Sequence, residues 1–182
     1  TNTEDDYQII GGQTGFSQDE AGADAATAVG MTVTDNQDGT FSFAAKGVIG
    51  HRNDKDWFRL NFETSGIVDI FAVPYYYTQG FGNNLDIKLT LYDGSSNIVA
   101  QHSPGDTAHA SLIGVSVSPG TYYVEIDGVG SPVVSSDYGS MGHYRINGDA
   151  SAGTVTQDTT TEATQSPTTT TADRKTSCRE RV

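Results

Sequence analysis

Between Thr40 and Asp149 apolar residues recur at every second position in short runs, and each run is closed by a cluster of Gly, Asn, Asp, Ser or Pro. The pattern is clearest in Asp86-Ile-Lys-Leu-Thr-Leu-Tyr92, where Ile87, Leu89 and Leu91 fall on one face and Asp86, Lys88 and Thr90 on the other. A period of two with one wet face is that of a β-strand. The same reading predicts strands over Phe41–Ile49, Asp56–Phe62, Ile67–Val73, Asp86–Tyr92, Ile98–His102, Ala110–Val117, Thr121–Asp127 and Gly142–Asn147. In the pairs Trp57–Phe58 and Tyr122–Tyr123, alternation sends one ring of each to the core. Asp35–Gly39 and Asp93–Asn97 have hairpin-turn composition, and Ser118-Pro119-Gly120 introduces the strand after it. Eight short strands with frequent turns predict an all-β fold, a two-sheet antiparallel β-sandwich of jelly-roll-like form, rather than one open sheet.

The remaining segments read differently. Alanine-rich Asp24–Val29 is the one helical candidate, while Asn2–Ile10 reads as an acidic run followed by a short apolar strand and Gly11–Gly15 as a joint. From Ser151 to Ala172 threonine dominates, with Pro167 between the runs Thr159–Thr161 and Thr168–Thr171. Such a segment buries too little apolar surface to offset its ordering entropy, which predicts a disordered linker or an O-glycosylated stalk over residues 150–172. The folded domain is expected to cover residues 16–149, with residues 1–15 the tail of an upstream domain. Asp173–Val182 resembles the translation of sequencing-adapter DNA, and the single cysteine, Cys178, lies in it. No disulfide is therefore expected.

Charge narrows the partners. The formal net charge is −13. Arg174, Lys175, Arg179 and Arg181 belong to the last ten residues, as do Asp173 and Glu180, which leaves six Lys and Arg against 21 Asp and Glu before them. Nucleic acid is excluded as a partner on this ground, because its affinity rests on cations that neutralise phosphates. Acidic excess serves solubility, life in salt, or the holding of a divalent cation. No run approaches the ~20 apolar residues of a membrane span, and Thr1–Asp6 lacks the basic and apolar regions of an export signal, so a secreted protein would carry that signal upstream.

Catalytic patterns are missing. A zinc peptidase needs two histidines at i and i+4 with a glutamate beside the first, whereas His51, His102, His109 and His143 are scattered over strands and loops. There is no Gly-x-Ser-x-Gly elbow. The acids cluster at turns and strand starts, where they satisfy backbone groups rather than form an opposed glycosidase pair. No catalytic residue is assigned and no zinc is expected on this chain.

Three segments in order, Asp54-Lys-Asp-Trp-Phe-Arg-Leu60, Asn84-Leu-Asp-Ile-Lys-Leu-Thr-Leu-Tyr-Asp93 and Pro119-Gly-Thr-Tyr-Tyr-Val-Glu-Ile126, resemble the bacterial pre-peptidase C-terminal domain. The resemblance spans about Phe16 to Asp149. Asp137–Ile146 is similar to the closing strand of this module where it follows secreted reprolysin-like zinc metallopeptidases, and Asn2–Ile10 to the tail of such a catalytic domain. The resemblance implies a non-catalytic accessory domain of a secreted, extracellular peptidase, with the upstream catalytic domain of the same chain as its first partner.

Two candidate sites follow. Asp19, Glu20 and Asp24 precede the sandwich, and Asn53, Asp54 and Asp56 sit at a strand start. Converging acidic segments supply the six to eight oxygens of Ca2+. The collagen-binding modules of clostridial collagenases, similar in fold, hold calcium between an acidic linker and an acidic strand start, although their linker is fuller than Asp19-Glu20. The competing reading is that Asp54 and Asp56 cap a turn. Tyr75, Tyr76, Tyr77 and Phe81 fall in a predicted loop, and exposed rings suit extended polymers such as an extracellular protein or polysaccharide; two of them folding back over the sandwich edge is the alternative. Two further functional readings stand beside the first: an independent adhesion or carbohydrate-binding sandwich on a threonine-rich stalk, and a structural spacer.

Overall fold

The computed structural model describes residues 6–15, 20–75, 84–130, 137–151 and 155–156. One helix, α1 (Asp6–Thr14), is followed by β1 (Val29–Gly30), β2 (Thr32–Asp35), β3 (Thr40–Ile49), β4 (Lys55–Phe62), β5 (Gly66–Pro74), β6 (Ile87–Asp93), β7 (Ile98–His102), β8 (Ala110–Val117), β9 (Gly120–Gly128), β10 (Gly142–Ser151) and β11 (Val155–Thr156). All eight strands read from the alternation are present: β7 and β8 have the predicted bounds, β6 is shifted by one residue, β3, β4, β5 and β9 are one or two residues longer, and β10 is four residues longer.

The strands form two sheets. The first has the order β1-β4-β9-β6-β7, with β11 also on β4, and the second has the order β2-β3-β10-β5-β8. Every pairing is antiparallel except that of β1 with β4. The core lies between the sheets. Phe58, Leu60, Leu89, Leu91, Val124 and Ile126 of the first sheet are buried, as are Phe43, Ile49, Val68, Ile70 and Ile146 of the second. At about 1.5–3 kcal/mol for each fully buried large apolar side chain, this layer does most to hold the two sheets together. Trp57 and Tyr123 point out while Phe58 and Tyr122 point in, as the alternation requires. The buried Tyr122 hydroxyl accepts the Ser118 N–H at 2.9 Å.

Both predicted hairpin turns are present, each organised by an aspartate. Asp38 accepts the Thr40 amide and hydroxyl, and Gln37 and Gly39 take positive φ. Asp93 accepts from the Ser95 and Asn97 amides and from the Asn97 side chain, with Ser96 at positive φ. Hydrogen bonds to the ionised form hold both carboxyl groups below their ordinary range.

Several local expectations need correcting. Residues 6–14 are helical rather than an apolar strand with a glycine joint, because Ile9 and Ile10 are adjacent and carry no two-residue alternation. The helix stops at Gly15, whose left-handed backbone returns its N–H to Gly11 O at 2.8 Å. Asp24–Val29 is not helical: the Asp24 carboxylate takes the Thr27 amide and hydroxyl and makes a turn, and Val29 enters β1. Folded structure also runs past Asp149, since β10 continues to Ser151 and Val155–Thr156 pairs with Phe62 and Asn61. The other residues of the predicted linker and the last ten lie outside the described residues. Together Gly22 on Trp57, β1 on Phe58 and Arg59, and β11 on Asn61 and Phe62 cover the outer edge of β4, which would otherwise offer unpaired backbone groups.

Candidate functional site

Strand register assembles a pocket at one end of the second sheet. In the β3–β10 ladder Lys46 stands directly opposite Arg145, and Val48 opposite His143. Tyr75, just past β5, donates its N–H to His143 O at 2.8 Å and is brought to the same place. These residues, with Gly47, Tyr144 and Glu20, line a cavity of about 550 Å³. Lys46, His143, Arg145 and Tyr75 are exposed. Neither Lys46 nor Arg145 forms an ion pair or hydrogen bond through its side chain with a described residue, although Glu20 lines the same cavity.

Beneath this pocket a polar contact joins the sheets. The Tyr144 hydroxyl of β10 donates to the buried Asp56 carboxylate of β4. Gly47 makes the room: a Cβ there would overlap the Tyr144 hydroxyl and Asp56 Oδ2. Burial, with the Asp56 carboxylate next and the charges of Glu20 and Asp54 after it, pushes the Tyr144 phenol far above its ordinary range. Three carboxylates of the predicted calcium set therefore act on one phenol.

The other members of that set are placed as follows. Asp54 Oδ2 accepts the Gly50 amide at 2.6 Å, so it closes the turn into β4. Asn53 is exposed on that turn, with its amide on His51 Nδ1 at 3.3 Å. Asp24 is engaged with Thr27, and Asp19 lies outside the described residues. Among the described residues no three His, Cys, Asp or Glu side chains are grouped as a metal ion would need. Of the predicted aromatic loop, Tyr75 is 60% exposed and in the pocket; Tyr76, Tyr77 and Phe81 lie outside the described residues. Lys46, Gly47, His143 and Arg145 are not singled out by the sequence. Lys46 and Arg145 become neighbours only through register, and the one advance signal is that Lys and Arg are scarce in this chain.

A second polar cluster occupies the outer face of the first sheet. Lys55 Nζ of β4 lies 3.4 Å from Glu125 Oε2 and 3.1 Å from Asp127 Oδ2 on β9. Glu125 and Thr90 are buried although alternation turns both away from the core. Trp57 and Tyr92, from the strands on either side of β9, stack at 4.9 Å and 18°, and Tyr123 tilts against Trp57 at 6.4 Å. Burial, then the charge of Glu125, raises the Tyr92 phenol. Partial burial opposes the Lys55 charge, yet the Asp127 hydrogen bond and the field of Glu125 leave its ammonium above the usual lysine value. The expectation of a wet face formed by Asp86, Lys88 and Thr90 thus fails at two of the three. Asp86 is buried and donates its N–H to Ser140 Oγ at 2.9 Å, and Thr90 is buried and takes the Gln101 amide at 3.0 Å.

No family model matches the chain, and no curated protein matches it. Among solved structures it is similar to the pre-peptidase C-terminal domain of collagenase from Bacillus anthracis, at 17% identity and a TM-score of 0.42, over 58% of this chain and 86% of that one. Among the described residues no helix is long and apolar enough to cross a membrane.

Proposed function

We propose that this chain is a non-catalytic accessory domain of a secreted peptidase of the zinc metallopeptidase kind, which steadies the catalytic domain and holds polypeptide substrate. The observation that carries the reading is the placement of the three motifs. Asp54–Leu60, Pro119–Ile126 and Asn84–Asp93 fall on β4, β9 and β6, which are hydrogen-bonded neighbours in that order at the centre of the first sheet. Segments widely separated in sequence thus form one structural unit, which supports treating the resemblance as one signal rather than three coincidences. The pocket containing Tyr75 supports the ligand-holding part, since an apolar-walled cavity with a few convergent polar groups is the usual form of a binding site.

Reading the complete coding frame tests the proposal. A His-Glu-x-x-His motif in frame on the N-terminal side is the expected result; further sandwiches or a surface anchor in its place would move the reading to an adhesion module.

Calcium belongs to the same proposal on the sequence reading alone, through the acidic segment Asp19-Glu20 and through Asn53, Asp54 and Asp56 at the strand start. The described members are not grouped as a bound ion would hold them, so the ion itself would have to draw them together. Thermal melts with calcium and with chelator check it. A ligand that binds only the native state adds about 2.7 kcal/mol at a hundredfold excess over its Kd, so a clear upward shift is expected with calcium. An unchanged midpoint removes calcium from the reading.

A further inference from the structure

The pairing of Lys46 with Arg145 has no structural return. Like charges directly opposite on neighbouring strands repel, and such pairs destabilise a sheet. The chain offers 21 acids before Asp173 against six cations, so a neutralising carboxylate was readily available. None is placed in ion-pair contact with either side chain among the described residues, not even Glu20 at the border of the same cavity. The four other Lys and Arg of that region include Lys55, which is held by two acids. The cavity wall is mainly apolar, with Val48 and Tyr75 among the residues that line it, and long side chains such as Lys46 and Arg145 can add their aliphatic stems to such a wall. A volume of about 550 Å³ falls in the range that admits a small organic group or a terminal residue or two of a peptide.

We infer that this cavity binds a carboxylate carried on an apolar body, as the C-terminal residue of a peptide presents it, with Lys46 and Arg145 taking the carboxylate and Tyr75 and Val48 the side chain. Arg145 can meet both carboxylate oxygens with its planar fork, and Lys46 supplies a point charge. Glu20 at the border sets a selectivity, because it repels a ligand that carries a second acid. The inference deepens the reading of the chain as a polypeptide-binding module and rests on it. It also gives that module a preference for chain ends, which a peptidase creates with every cut.

The test uses the full chain and fluorescently labelled peptides ending in phenylalanine, as the free acid and as the amide, with an amidated peptide bearing an internal glutamate as the third probe. Anisotropy should show the free acid binding roughly tenfold more tightly than the amide, with an affinity that falls as salt is raised. Lys46→Met and Arg145→Met should each remove most of that preference, with Arg145→Lys intermediate, and thermal midpoints of all three should stay at or above that of the parent. Equal affinity for acid and amide would overturn the inference and leave the polypeptide-binding reading in place. Preference for the internal glutamate over the free terminus would overturn the assignment to chain ends. Binding of none of the probes would overturn both the inference and the reading it rests on.

Discussion

Lys55 on β4 and Lys46 on β3 both project from the outer face of a sheet, and their surroundings are opposite. Lys55 is matched by Glu125 and Asp127, and Glu125 is buried on the face that carries the stacked rings of Trp57 and Tyr92. Lys46 faces Arg145 with no acid in contact among the described residues and an open cavity beside it. A closed, neutralised cluster contributes to folding, because removing any part leaves a charge in a poorly solvated place. An open, like-charged pair opposes folding unless an anion completes it. On the inference above, one chain thus carries a structural use and a proposed binding use of the same residue type on its two faces.

Substitutions separate the two uses. The largest effect is expected for Trp57→Ala, which loses the Tyr92 stack and opens Glu125 to water: about 2–3 kcal/mol of stability by denaturant melting, below the range for a fully buried ring because Trp57 is half-exposed. Lys55→Met should follow at about 1–2 kcal/mol, discounted because the Lys55 side chain is 41% exposed. Lys46→Met should change stability by no more than about 0.5 kcal/mol, and in the stabilising direction, because a like-charge repulsion is relieved. A loss of stability there equal to that of Lys55→Met would erase the distinction.

Titration gives the smallest effect and sharpens the same comparison. The folded value of Lys55 is raised, so its contribution is complete below the unfolded lysine value near ~10.4 and is lost as pH rises through the folded one. Tyr92 acts in the same sense, its neutral form being favoured in the folded chain. Melting midpoints should thus fall above about pH 10, and less steeply in Lys55→Met. At the acid end Asp24, Asp38 and Asp93 have depressed folded values, so their stabilisation is present above the ordinary carboxylate range and is lost as pH falls from that range through the lower folded values.

What is legible in the sequence follows from the same physics. Strands with one buried face announce themselves by alternation, as β6 does with buried Ile87, Leu89 and Leu91 and the aromatic pairs of β4 and β9 do with Phe58 and Tyr122. By contrast, β7 is legible from its β-branched run and flanking turn although it buries none of its residues. The short β1 and β2 bury almost nothing by alternation and β11 is only two residues long, so their sequences carry no period, and only their pairing to neighbours makes them strands. Helix α1 escapes such a reading because its apolar residues do not face a core: Ile9 and Ile10 are 46% and 58% exposed. Thr90 and Glu125 fall on the solvent side of the alternation and are buried among neighbours from other strands, Gln101 on Thr90 and Lys55 on Glu125, with the Trp57–Tyr92 stack on the same face, which local pattern does not encode. For the pocket, Tyr75 is visible in a tyrosine run, but Lys46 and Arg145 come from strands far apart in the chain. Their pairing depends on the β3–β10 register, which local pattern does not encode.

The most direct test of the central claim, that this chain holds polypeptide without cutting it, is a titration of a labelled unstructured polypeptide with the full chain, followed by anisotropy, with the polypeptide's mass determined at the end. Saturable binding with the mass unchanged is the predicted result. A shortened polypeptide, or no rise in anisotropy at any concentration, would contradict it.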